Sequence, residues 1–193
     1  MIIDLLTNEE KKKVKFISFK EGETLFYEND TCSSLGIVVQ GELKISSFTF
    51  EGNEIIYNRL LVGSIFGNNL LFSTDNKYRG DVKAVRSGTL ALINKDNLVN
   101  ILMNNEQFLL KYLSIHSEFT KSLNTKIKLL TFMNAKERFL YYLFINDNHI
   151  KYQSVTSLAK SLYLSREATS RLLSSLVEEG KIIKKEHEII LID

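Results

Sequence analysis

The sequence predicts an α+β chain in three parts: an N-terminal antiparallel β-roll, a long helix, and a C-terminal winged helix-turn-helix. Three observations predict it. Eight of the nine glycines fall in the first 90 residues, where they punctuate short β-prone runs. From about Asp96 the apolar residues recur instead at steps of three and four. The C-terminal part then carries two amphipathic helical patterns and two short apolar runs around a charged turn. The expected boundaries are 1–104 for the roll, 105–132 for the long helix and 133–193 for the winged helix-turn-helix.

The roll is read from Ile37-Val38-Val39, Leu43-Lys44-Ile45-Ser46, Glu54-Ile55-Ile56-Tyr57 and Thr89-Leu90-Ala91-Leu92-Ile93. Short strands at regular spacing with turn residues between them form a jelly-roll or sandwich. Proline is absent, so glycine, asparagine and aspartate do the turning.

The long helix shows Leu109, Tyr112, His116, Phe119, Leu123, Ile127 and Leu130 on one stripe. A stripe so long and narrow suits a coiled-coil-like seam between two chains. The alternative is an amphipathic helix lying on its own sheet. His116 reads as a packed, hydrogen-bonded histidine rather than a haem ligand. A short helix at 135–146, with Phe139, Leu140 and Leu143 inward, leads into the final part.

There, Val155 to Leu164 predicts a short helix with Leu158, Ala159 and Leu162 inward and Thr156 as its cap. About three residues around Tyr163 connect it to the next helix, as expected for two helices meeting steeply. That second helix opens on Ser165, whose hydroxyl can accept from a first-turn N–H. Arg166, Glu167, Ser170 and Arg171 then share one polar face, opposite a stripe of Leu172, Leu173, Leu176 and Val177. Gly180 ends the helix as a residue free to take positive φ. Lys181 to Lys184 and Glu188 to Leu191 follow as two strands of a wing. The N-terminal residues of such a second helix meet base edges in the major groove. Arginine matches the O6/N7 edge of guanine, and glutamate accepts from the amino group of cytosine. Ser165, Arg166, Glu167, Ser170 and Arg171 are therefore the expected DNA-binding residues.

Composition sets limits. The formal net charge of +2 demands no polyanionic partner, yet residues 151–185 carry seven basic and three acidic side chains. That local excess coincides with the expected groove-facing surface. No run approaches the 18 apolar residues of a membrane span. The first residues lack the basic and apolar regions of a signal peptide, so a cytoplasmic location is expected. Cys32 is the single cysteine, which rules out an internal disulfide and a four-cysteine iron–sulfur site. It reads as an inert half-buried thiol, with redox activity as the alternative.

Roll, long helix and winged helix-turn-helix in this order resemble the Crp/Fnr family of bacterial transcription regulators, over nearly the whole chain. Phe19-Lys20-Glu21-Gly22-Glu23-Thr24-Leu25-Phe26 is similar to the family's first turn and strand. Leu35 to Ile45 resembles the following hairpin, and Val62-Gly63-Ser64-Ile65-Phe66-Gly67 the approach to the cyclic-nucleotide cassette. Arg166, Glu167 and Arg171 match the family's arginine–glutamate–arginine arrangement. Ser170 is similar to the oxygen-sensor branch and Arg166 to the cyclic-AMP branch. The resemblance implies a homodimer on an inverted-repeat operator in double-stranded DNA, with RNA polymerase as a further partner and no membrane. It implies that Glu167 accepts from a cytosine, that Arg171 and Arg166 contact guanines, and that Ser170 touches a thymine methyl or a phosphate.

The effector cassette departs from the family pattern. Cyclic-AMP-binding relatives follow the Gly67 position with a glutamate for the ribose hydroxyl, where this chain has Asn68, followed by Asn69. Their phosphate-holding arginine–serine pair falls on Tyr78 and Arg79, and their adenine-contacting residues on Leu123 and Asn124. Arg79 could substitute if the loop shifted by one residue. A missing charge-assisted, bidentate contact to phosphate is a strong one to lose. Cyclic AMP is therefore not expected. The roll binds another small molecule through these residues, or none, with its cavity filled by Phe66, Leu71 and Phe72. Haem sensing finds no axial pair among His116, His149 and His187, and no cofactor is evident.

Two other functions have recognisable sequence signatures. A cupin-like enzyme would cluster histidines and a carboxylate in the roll, and none of the three histidines lies there; no nucleophile elbow or phosphate loop is present either. The remaining alternative is a small-molecule-binding regulatory module acting on a protein partner. The reading helix argues against it.

Overall fold

The computed structural model describes residues 1–192. The chain divides into two compact units, Met1–Ile115 and a second from His116 onward.

In the first unit, a 3-10 turn at Ile2–Leu5 and α1 (Asn8–Lys11) precede the sheet. Thr7 caps α1 reciprocally: Glu10 N–H donates to Thr7 Oγ1 at 3.2 Å, and Thr7 N–H donates to Glu10 Oε2 at 2.8 Å. The strands are β1 (Lys15–Phe19), β2 (Thr24–Phe26), β3 (Ser34–Phe48), β4 (Glu54–Leu60), β5 (Ile65–Phe66) and β6 (Asp81–Asn94). α2 (Asn68–Leu71) sits between β5 and β6; α3 (Lys95–Asn104) and α4 (Glu106–Thr131) follow. The sheet runs β1-β6-β3-β4, with β2 added on β6 and β5 on β3, every pair antiparallel.

The expectation of separate short strands is corrected at one point. Ile37–Val39 and Leu43–Ser46 belong to the single 15-residue β3, and Thr89–Ile93 is the second half of β6. Gly41 bends β3 instead of ending it: it takes φ +86°, and the register with β6 shifts between Val38 and Leu43. Opposite it, a Cβ on Gly88 would stand 1.9 Å from the Gln40 carbonyl oxygen. Only glycine lets the two bent strands approach so closely. The bend lets one strand serve two cores. Leu35 and Ile37 join Ala91, Ile93, Leu98, Ile101, Phe108 and Tyr112. Val38 and Leu43 join Phe19, Leu60, Phe66, Tyr78, Val82 and Leu90.

The second unit contains the rest of α4, α5 (Ala135–Phe144), β7 (His149–Lys151), α6 (Val155–Leu162), α7 (Arg166–Glu178), β8 (Ile182–Lys184) and β9 (Glu188–Leu191). The wing has three antiparallel strands in the order β7-β9-β8; β7 was not foreseen. Phe139, Leu143, Ile150, Leu158, Leu162, Leu173, Leu176, Ile182 and Ile189 close its core.

Three further expectations are corrected. Ser154, not Thr156, caps α6: Ser157 N–H donates to Ser154 Oγ, and Ser154 N–H donates to Ser157 Oγ, both at 3.1 Å. This capping box satisfies the first turn two residues earlier. Val177 is 43% exposed, and Thr169 takes the fourth inward place on α7. Thr169, Leu172, Leu173 and Leu176 keep the i, i+3, i+4, i+7 spacing of one helical face, which Val177 oversteps. Thr169 Oγ1 donates to the Ser165 carbonyl at 3.0 Å, so its burial leaves no polar group unpaired. Phe72, expected inside the roll, lies half exposed beneath the Lys95 ammonium, 5.4 Å from the ring centroid.

The stripe of α4 divides. Tyr112 is buried and its neighbours Phe108 and Ile115 join the first unit's core, as in the reading of a helix on its own sheet. Phe119, Leu123, Ile127 and Leu130 are exposed. Between them, His116 is half-buried, and burial lowers its pKa. Among the described residues no helix is long and apolar enough to cross a membrane.

Candidate nucleic-acid interface

α7 is held at both ends by bonds that leave its outer face untouched. At the start, Ala168 N–H donates to Ser165 Oγ at 3.1 Å. Just before it, Tyr163 takes the left-handed conformation, φ +54°, and closes α6 with two bonds: Tyr163 N–H to the Lys160 carbonyl and Leu164 N–H to that of Ala159. A bulky residue there costs about 1–2 kcal/mol, and Arg138 supplies a compensating tie. Its guanidinium donates to the carbonyls of Leu162 at 3.2 Å, Tyr163 at 3.3 Å and Phe132 at 2.6 Å. One side chain of α5 thus satisfies the orphan carbonyls ending α6 and fixes the turn into α7.

At the far end, Gly180 adopts φ +69°. Gly180 N–H donates to the Val177 carbonyl and Lys181 N–H to that of Leu176, each at 3.0 Å, a Schellman closure. Glu179 pairs with Lys136 of α5 at 2.5 Å and with Lys181 at 3.0 Å, and accepts from Ser175 Oγ at 3.2 Å. The bonds from Lys136 and Lys181, then Ser175, hold its carboxyl down at about 2.

Between these anchors Arg166, Glu167, Ser170 and Arg171 are all exposed. With Val155, the first residue of α6, they line an open depression of about 360 Å³. Among the described residues, neither arginine nor Glu167 is engaged in an intrachain ion pair or side-chain hydrogen bond. The face can therefore offer two guanidinium forks, a carboxylate acceptor and a hydroxyl to whatever enters. The wing adds exposed Lys184 and Lys185, while Lys151 lies 3.4 Å from Glu188.

The expected effector residues have a different fate. Gly67 and Asn68 are buried at the start of α2; Asn69 is exposed. Tyr78 lies inside the roll, its ring stacked on Phe26 at 5.1 Å, with Phe26 in turn 6.0 Å from Phe66. Its hydroxyl is placed beside the Cys32 thiol, and burial, then that neighbour, pushes the phenol up. Cys32 is fully buried, not half-buried, and its thiol donates to the carbonyls of Ser34 and Gly67 at 3.6 Å. Arg79 is on the surface, paired with Asp75 at 2.6 Å. Leu123 and Asn124 are exposed on α4 in the second unit. The structure thus brings Gly67 and Tyr78 together around Cys32, turns Arg79 to Asp75, and places Phe26, which was not singled out, against Tyr78.

Comparison with known proteins adds the lineage. Residues 16–105 match the model of the cyclic nucleotide-binding domain. The chain is 25% identical over 205 residues to the anaerobic regulatory protein of Bacillus subtilis, covering 97% of this chain and 86% of that protein. The chain is similar to the Crp/Fnr regulators over nearly its whole length. A second relative, the cyclic AMP receptor protein of Thermus thermophilus, is 25% identical over 85% of this chain and 77% of its own length. The fold agrees: the catabolite activator protein of Thermus thermophilus superposes with a TM-score of 0.58 at 20% identity, covering 99% of this chain and 93% of that one. The Crp/Fnr family is one of transcription regulators and not of enzymes.

Arg138, Ser154, Phe26 and the Lys136–Glu179–Lys181 group were missed from sequence. Only Ser154 carried a local signal, a serine ahead of an apolar period.

Proposed function

We propose that the protein is a homodimeric transcription regulator that binds an inverted-repeat operator in the cytoplasm and does so without cyclic AMP. The observation that carries this reading is the exposed, unpaired Arg166–Glu167–Ser170–Arg171 face on a helix fixed at both ends. Preorganised donors and acceptors on a helix that opens toward the groove are what base readout requires. Glu167 accepts from a cytosine amino group, Arg171 binds the guanine side of the same half-site, and Arg166 adds a second guanine contact.

Dimerisation is supported by Phe119, Leu123, Ile127 and Leu130, an exposed apolar series at coiled-coil spacing on α4. Independence from cyclic AMP is supported by Tyr78 and Phe26 filling space inside the roll, by Asn68 in place of a carboxylate, and by Arg79 held on Asp75. The division of labour follows: residues 1–104 as a sensor-like roll, 105–132 as the dimerisation helix, 133–193 as the DNA-binding domain.

Recovery of bound sequences from a random duplex pool, with and without cyclic AMP, tests the reading. A dyad-symmetric motif with half-sites about one helical turn apart, unchanged by the nucleotide, is the expected result. Recovery of no motif, or of one only when the nucleotide is present, would overturn it.

A further inference from the structure

We infer that Val155 is a specificity residue of this surface, contacting the C5-methyl group of a thymine beside the base pairs read by α7. The inference rests on the base-reading function proposed above and adds a contact from a different helix.

Val155 directly follows the Ser154 cap and is half-buried. It faces the depression otherwise lined by Arg166, Glu167, Ser170 and Arg171. Those four side chains can all hydrogen-bond; Val155 cannot. The core of the second unit takes Leu158 and Leu162 from α6, and Val155 lies outside that cluster. Its isopropyl group is thus an apolar patch set in a polar cleft.

The chemistry of the groove names the partner. Along the base-pair edges of the major groove, the apolar feature is the methyl group of thymine. A polar base edge pressed on Val155 would lose its water without gaining a bond, whereas a methyl group gains by leaving water. Valine is stiff about χ1, and the reciprocal Ser154–Ser157 bonds fix the turn that carries it. The patch is therefore in place before any duplex arrives.

The test uses the full-length protein and a duplex recovered from the random pool, with each half-site thymine replaced singly by deoxyuridine, which removes only the methyl. For the wild type, one such replacement per half-site should weaken binding about fourfold, equivalent to about 0.8 kcal/mol for one buried carbon. Val155→Ala should be insensitive to that replacement, and Ser170→Ala should remain sensitive. Val155→Thr, which keeps the branched shape, guards against a general loss of folding. If no thymine is sensitive to its methyl, or if Val155→Ala keeps the full sensitivity, the inference fails. The underlying reading fails separately, if Glu167→Ala and Arg171→Ala bind the recovered duplex as the wild type does.

Discussion

The two units treat their chemistry-bearing residues in opposite ways. In the roll, Tyr78 is drawn inward onto Phe26 beside Cys32, and Arg79 is spent on Asp75. In the winged helix-turn-helix, Arg166, Glu167 and Arg171 point outward and are left without intrachain partners among the described residues. There Ser165, Arg138, Lys136 and Glu179 direct their bonds to helix ends. One region uses these side chains for packing and a surface ion pair. The other has moved its bonding to the frame and kept its face available.

Substitutions can break or sharpen this contrast. The largest effect is expected at Leu173, fully buried behind the reading face. Leu173→Ala should destabilise the second unit by about 2–5 kcal/mol in chemical unfolding; a loss below about 1 kcal/mol would mean that the frame does not depend on this core. Removing the α7 cap with Ser165→Ala should cost about 1 kcal/mol and weaken operator binding through helix fraying. Unchanged stability would remove the cap from the account. In the roll, Tyr78→Phe deletes only the buried hydroxyl beside Cys32, and stability should change by no more than about 0.5–1.5 kcal/mol. Operator affinity should stay the same, and a change would show that the roll interior communicates with the reading face.

The smallest effect is a matter of pH. The Glu179 carboxyl is lowered on folding to about 2 from an ordinary 4.5 by Lys136, Lys181 and Ser175. A carboxyl lowered in the folded state contributes stability that is complete above 4.5 and lost as pH falls toward 2. Thermal melting should therefore decline more steeply over that window for the wild type than for Glu179→Gln. Parallel declines would discount the pairing.

What could be read beforehand follows from how local each cause is. The course of α7 was legible because Ser165, the apolar period and Gly180 each act within one or two turns. The roll was legible as a class, but Gly41 looked like a stop, because its role as a bend depends on Gly88 passing close by on another strand. β7 escaped notice because its three residues include only one buried apolar side chain, Ile150. Arg138 escaped because its partners are backbone carbonyls brought to it by the tertiary path. The inward turn of Tyr78 depends on Phe26, fifty-two positions away. Val177 was misplaced in favour of Thr169 because a buried threonine is tolerated only where its hydroxyl finds a carbonyl, here that of Ser165.

The central claim is that the outer face of α7 recognises bases. Its most direct test is to measure wild type and Glu167→Ala against four duplexes that differ only at the base pair opposite this residue in each half-site. The wild type should prefer one of them by about 1–3 kcal/mol, and the variant should bind all four alike. A variant that keeps the preference, or loses the same affinity on a scrambled duplex, would contradict the account.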